Sequence, residues 1–140
     1  MKIGSAGFFL KKGGGQVSLE YLIILGAYFS VFALMLPIVF EIIDAFLDSS
    51  DSIVAKNAAD ELIEKNDLLS YLGDGSEFLM TFVPAKEISV YSINGRVFFA
   101  SKKNSFESIL VKQNISSKKF NSKFSVSIRK ESGGIILEFN

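Results

Sequence analysis

Twenty consecutive residues, Tyr21 to Phe40, carry no charge. Wound as a helix they span about 30 Å, the thickness of a bilayer's hydrocarbon core. Twelve of them are Leu, Ile, Val or Phe, which at helix-centre values favour membrane insertion by about 4–7 kcal/mol. A buried helix of a soluble protein is the competing reading, and it needs fewer apolar residues than this run supplies. The flanks orient the span: Lys11 and Lys12 precede it and acids follow, so the basic end is expected to stay cytoplasmic and the remainder to be exported. An ordinary secretory signal fits poorly. Its apolar stretch is about 7–15 residues and ends at a small-x-small site, whereas this run continues into Pro37-Ile38-Val39-Phe40-Glu41.

The absence of Cys and His excludes a thiolate nucleophile, an imidazole base, a Cys/His zinc site and a disulfide framework. Fifteen basic and fifteen acidic residues cancel to a formal net charge of zero, so no global field announces a partner. The cancellation hides segregation. Residues 41–77 hold ten acids against Lys56 and Lys65, a net of −8, while residues 78–140 hold ten bases against four acids, a net of +6.

Beyond Phe40 the apolar residues thin to a stripe. Ile43, Leu47, Val54, Ala58, Leu62, Leu69 and Leu72 recur at sums of three and four with acids on the other face, the pattern of an amphipathic helix continuing past the span. Pro37 removes one backbone donor and is expected to bend that helix. The cap-forming residues Asp48-Ser49-Ser50-Asp51-Ser52 suggest a break, with Asp51 or Ser52 starting a second helix. Gly73-Asp74-Gly75 ends the helical part. From Glu77 the period changes to two, with strands expected over 78–83, 88–93, 96–100, 109–115, 123–130 and 135–139. Asn94-Gly95 reads as a two-residue hairpin turn, and Gly133 and Gly134 as the last turn. The fold class is therefore α+β: a long N-terminal helix packed on a small antiparallel β-sheet head of four to six strands, whose apolar face the helical stripe covers.

The most specific motif stands where the leader meets the apolar run: Lys11-Lys12-Gly13-Gly14-Gly15-Gln16-Val17-Ser18-Leu19-Glu20. A glutamate entering a membrane helix is costly unless it finds a partner or stays at the interface. Cleavage after Gly15 would place the new α-amino group of Gln16 one helical turn from Glu20, at a spacing that lets amine and carboxylate pair. The pattern Gln16-x-Ser18-x-Glu20, preceded by Lys12 and glycines, resembles the class III signal peptide of archaeal type IV pilin-like proteins. Their motif ends in Leu where this chain has Ile24, a conservative departure. Pro37, twenty-one residues after Gln16, is also similar in place to the helix-bending proline of many bacterial type IV pilins.

The resemblance covers roughly residues 11–40, and it implies a prepilin. Residues 1–15 would be a leader removed between Gly15 and Gln16 by a prepilin peptidase. Residues 16–72 would form the helix, membrane-spanning over about 21–40, and residues 76–140 the head. The mature subunit would leave the membrane for a surface filament of copies of itself and other pilins, serving adhesion or surface interaction. In such a bundle Glu20 needs an amine, and Gly26, Ser30 and Ala33, with Ala27 beside them, allow close helix approach; small residues are also common in any membrane helix. The alternative is a non-polymerising, single-pass anchored domain whose extracytoplasmic head binds a ligand or partner.

Two weaker signals remain. Asn114-Ile115-Ser116 is an N-glycosylation sequon. The head's Lys102, Lys103, Lys118, Lys119, Lys123, Arg129 and Lys130 are expected either to attract a neighbour's acidic helix in a salt-dependent way or to be a solvated face. No nucleic-acid partner is expected, because the aromatics occupy strand interiors rather than positions beside the lysines. No enzymatic activity, cofactor or metal is expected, since Asp and Glu are plentiful only on the helical stalk, Gly13-Gly14-Gly15 follows no strand, and there is no nucleotide-binding glycine pattern.

Overall fold

The structure is a computed structural model, and it describes residues 14–140, with side chains from Ser18 onward. Its first element is a single helix, α1, Gly14–Tyr71. Seven strands follow: β1 Glu77–Phe82, β2 Ile88–Ile93, β3 Arg96–Ala100, β4 Ser105–Leu110, β5 Lys118–Phe120, β6 Phe124–Glu131 and β7 Gly134–Phe139. By compactness the chain divides into two units, one reaching to Ile42 and the other Ile43–Asn140. The α+β, pilin-like class expected from the sequence is what the chain adopts: a long apolar N-terminal helix, packed through its later part on antiparallel sheets.

Among the described residues the first unit is helix. The helix passes through Pro37, whose missing N–H leaves the carbonyl of Ala33 without its usual intrahelical donor. Every residue from Ser18 to Phe46 is exposed within the chain.

The second unit holds the core. Its strands form two antiparallel sheets rather than one, ordered β1-β6-β7 and β4-β3-β2-β5. Helix residues Ala55, Ala58, Ala59, Leu62 and Leu69 join Met80, Phe124, Val126, Ile128 and Leu137 of the first sheet and Ile88, Val90, Val97 and Phe99 of the second in one buried cluster. The helix contributes three alanines and two leucines to this cluster, and all five side chains are at most 1% exposed. Phe120 of β5 stacks on Phe124 of β6 at 4.4 Å between ring centroids and lies 6.2 Å from Phe139, joining the edges of the two sheets.

Three expectations change in detail. Helix α1 does not break at 48–52, because Asp48 and Asp51 are buried against the head and bind there instead of capping a new helix. Strand β4 lies at 105–110 and residues 111–117 are loop, with the short β5 unforeseen. Of the expected stripe, Ala58, Leu62 and Leu69 are buried, whereas Ile43 and Leu72 are exposed. The Asn94-Gly95 hairpin is as expected: Ile93 pairs with Arg96, and both turn residues have positive φ, 52° and 78°, as a type I′ turn requires.

Candidate functional site

Two regions carry the chemistry. In the first unit it is the bare apolar helix. A segment within Ser18–Tyr71 reaches a mean hydropathy of 2.5, and this helix is long and apolar enough to cross a membrane. Apolar side chains point outward on every side of it: Tyr28 is 72% exposed, Phe32 62% and Leu34 74%. Surface of this kind needs lipid or other protein around it.

Along that helix Gly26, Ser30 and Ala33 follow at steps of four and three and share one face. A side chain at Gly26 would meet nothing within 4 Å. Ser30 donates its hydroxyl to the Gly26 carbonyl at 2.8 Å, so its polar group is satisfied locally and the face stays smooth. Ile24, Ala27, Tyr28 and Val31 surround a shallow apolar notch. Glu20 is exposed, as is Ile24. Lys12 lies outside the described residues, and Gly15 and Gln16 are described only as helical backbone, so the cleavage site stays an expectation.

The second region seats the helix in the head. Asp51, 3% exposed, accepts backbone N–H bonds from three successive residues of the β1–β2 loop: Ala85 at 2.6 Å, Lys86 at 3.0 Å and Glu87 at 3.0 Å. Consecutive amides converging on one anion form a nest, and here the helix itself supplies the anion. One turn earlier, Lys86 Nζ lies 2.9 Å from Asp48 and 3.0 Å from Asp44, with Lys102 and Lys103 at 3.7 and 3.9 Å from Asp48. The hydrogen bond from Lys86, joined by the nearby lysine charges, holds the Asp48 carboxyl below its ordinary range against the effect of burial. The bonds to Asp48 and then Asp44 raise Lys86.

Ser52 and Ser101 hydroxyls share a bond of 2.8 Å, and Ser108 donates to the Ala59 carbonyl. At the far end Lys130 Nζ donates to the carbonyls of Leu72, at 2.7 Å, and Ser70, satisfying acceptors that the helix end leaves open. The segregated charges therefore meet within one chain. The sequence read Asp48 and Asp51 as caps and gave Lys86 no role; nothing in their spacing reveals a contact made across more than thirty residues.

Of the lysines expected to face a partner, Lys102, Lys103 and Lys130 face α1, and Lys119 pairs with Glu87. Arg129 lies beside Glu131 and Glu138. Among the described residues Lys118 and Lys123 have no carboxylate partner. Asn114 is exposed in the 111–117 loop, and its side-chain carbonyl accepts a bond from Ser92, leaving the amide nitrogen clear. Compared with known protein families, curated proteins and solved structures, the chain matches none.

Proposed function

We propose that the chain is the precursor of a subunit, major or minor, of an archaeal type IV pilus-like surface filament. Prepilin peptidase removes residues 1–15, the membrane holds the span near 21–40 with its basic end inside, and the mature subunit then joins copies of itself and other pilins at the cell surface. The observation that carries this reading is a helix wholly exposed from Ser18 to Phe46 in a chain whose second unit completes its own core. Such a helix is accommodated first by lipid and then by neighbouring helices, where Glu20 pairs with the α-amine of Gln16 and the smooth Gly26-Ser30-Ala33 face packs closely.

The test has two parts. Co-expression with a prepilin peptidase should give a mature chain whose mass begins at Gln16, and electron microscopy of sheared surface material should show filaments containing its peptides. An uncleaved chain that never leaves the membrane would overturn the reading in favour of a single-pass anchored binding domain. That second reading draws on one observation, an open cleft at the edge of the head.

A further inference from the structure

We infer that the free edge of β7 is a strand-addition site for an extended segment of a partner protein, apolar at one end and acidic at the other. β7 ends the three-stranded sheet and, among the described residues, pairs only with β6. Ser125 and Asn140 exchange both backbone bonds, at 2.7 and 3.0 Å, which fixes the alternation along the register Val126↔Phe139 to Glu131↔Gly134. In an antiparallel ladder hydrogen-bonded and non-bonded pairs alternate. The backbone groups of Ile136 and Glu138 therefore face β6, and those of Ile135, Leu137 and Phe139 face outward.

Those outward groups border a cleft, not open solvent. Residues of the 112–118 segment line its other side in two parts, and Gln113 lines both. One part, about 430 Å³, is lined by Ile135, Ile136 and the Lys112 stem; the other, about 300 Å³, is lined by Asn114, Ser116, Lys118 and Asn140. Six residues of strand measure about 20 Å, and an added strand lies about 4.8 Å from its neighbour. Lys112 crosses the Gly133 end of the cleft, its Nζ donating to the Gly133 carbonyl at 2.6 Å, so an added segment would begin at Ile135, and the facing wall hinders a second flat sheet.

An Ile-Ile-Leu edge with no proline and one glutamate carries little charge protection of its own, and among the described residues its outward backbone groups have no strand partner. The cleft's chemistry selects the segment. The Ile135 end suits a bulky apolar side chain. At the Phe139 end Lys118, lying over the Phe139 ring at 5.9 Å, has no carboxylate partner among the described residues, while Glu138 is engaged by Arg129. A carboxylate in the partner segment complements Lys118, and main-chain bonds supply the rest, as in other strand-addition complexes.

Amide-resolved hydrogen exchange on the full chain in detergent micelles tests this, with a synthetic eight-residue peptide of alternating Val and Thr, Leu near one end and two Glu at the other. At about nine times its dissociation constant the peptide should slow exchange roughly tenfold at Ile135, Leu137 and Phe139, leaving Ile136 and Glu138 unchanged. Replacing the peptide's Glu by Lys should weaken binding about fivefold, Lys118→Glu should reverse that preference, and a central proline should abolish binding. No protection at millimolar peptide, protection spread equally over both sets of amides, or equal binding of the Glu and Lys peptides would each overturn the inference. So would outward amides already protected in the free chain in a concentration-dependent way, which would assign the edge to a second copy.

Discussion

Asp51 is the single side chain on which the seating of α1 depends most. Its buried carboxylate accepts from three backbone donors of a partly buried loop at once, and truncation would remove the partner of all three. Bonds to a charged group contribute about 1.5–3 kcal/mol, so Asp51→Ala is expected to destabilise the head by roughly 2–3 kcal/mol in thermal unfolding. Asp48 acts by charge. Its carboxyl is held below the ordinary value of 3.8, so its contribution is present above that value and is lost as pH falls through the depressed one. Lys86 is raised above 10.5, so its contribution is present below that value and is lost as pH rises through the raised one. The stability gap between the wild type and Lys86→Met should thus stay flat from about pH 5 to 9 and shrink at both extremes; a gap that peaks near pH 7 would contradict the pairing. At Gly95 a methyl group would approach the Val111 carbonyl oxygen to 3.0 Å in a φ of +78°, and Gly95→Ala should cost about 1–2 kcal/mol.

At the scale of elements, the helix was legible because its signals are local and repeated. Apolar residues without charge define the first part of α1, and spacing at three and four defines the part that enters the core. The β2–β3 hairpin was legible because Asn94-Gly95 encodes its own backbone conformation. What could not be read is what depends on partners far along the chain. Asp48, Asp51 and Ser52 favour a cap in isolation, and only the loop amides at 85–87 and the lysines at 86, 102 and 103 give them a use inside an unbroken helix. Strand β5 has three residues, and its lysines hide the single Phe120 that matters. Within α1, Leu62 is fully buried, and Leu62→Ala should lose about 2–5 kcal/mol as measured by denaturant unfolding of the full chain in micelles. Glu20→Leu, by contrast, should leave unfolding unchanged, since Glu20 is exposed in the first unit; under the proposed function it should be cleaved and inserted normally yet form few filaments. Filaments in normal number would remove the pairing assigned to Glu20.

For the whole molecule, the sequence placed the hydrophobic surplus correctly: it belongs to a helix that one chain leaves bare, while the head closes a core of its own. The charges also meet within one chain, which neither the lateral-attraction nor the solvated-face reading included: Lys86, Lys102, Lys103 and Lys130 are turned to α1 of the same chain. Raising salt should therefore loosen the seating of the helix as well as any contact between chains, and the two effects separate by measurement, head unfolding reporting the first and filament length the second. The sequon lies on an exposed loop, and a mass excess on the mature chain that disappears in Asn114→Gln would show its modification.

Within the second unit α1 is held at several stations along its axis: the amide nest and lysines around Asp48 and Asp51, the Ser108 bond to Ala59, the leucines in the core, and the Lys130 clasp on its last carbonyls. A pull directed along the axis loads all of these together in shear, whereas a pull across it peels the Lys86 pairs with Asp44 and Asp48 first and the others in turn. The head is thus built to stay on its helix under axial tension far better than under sideways tearing.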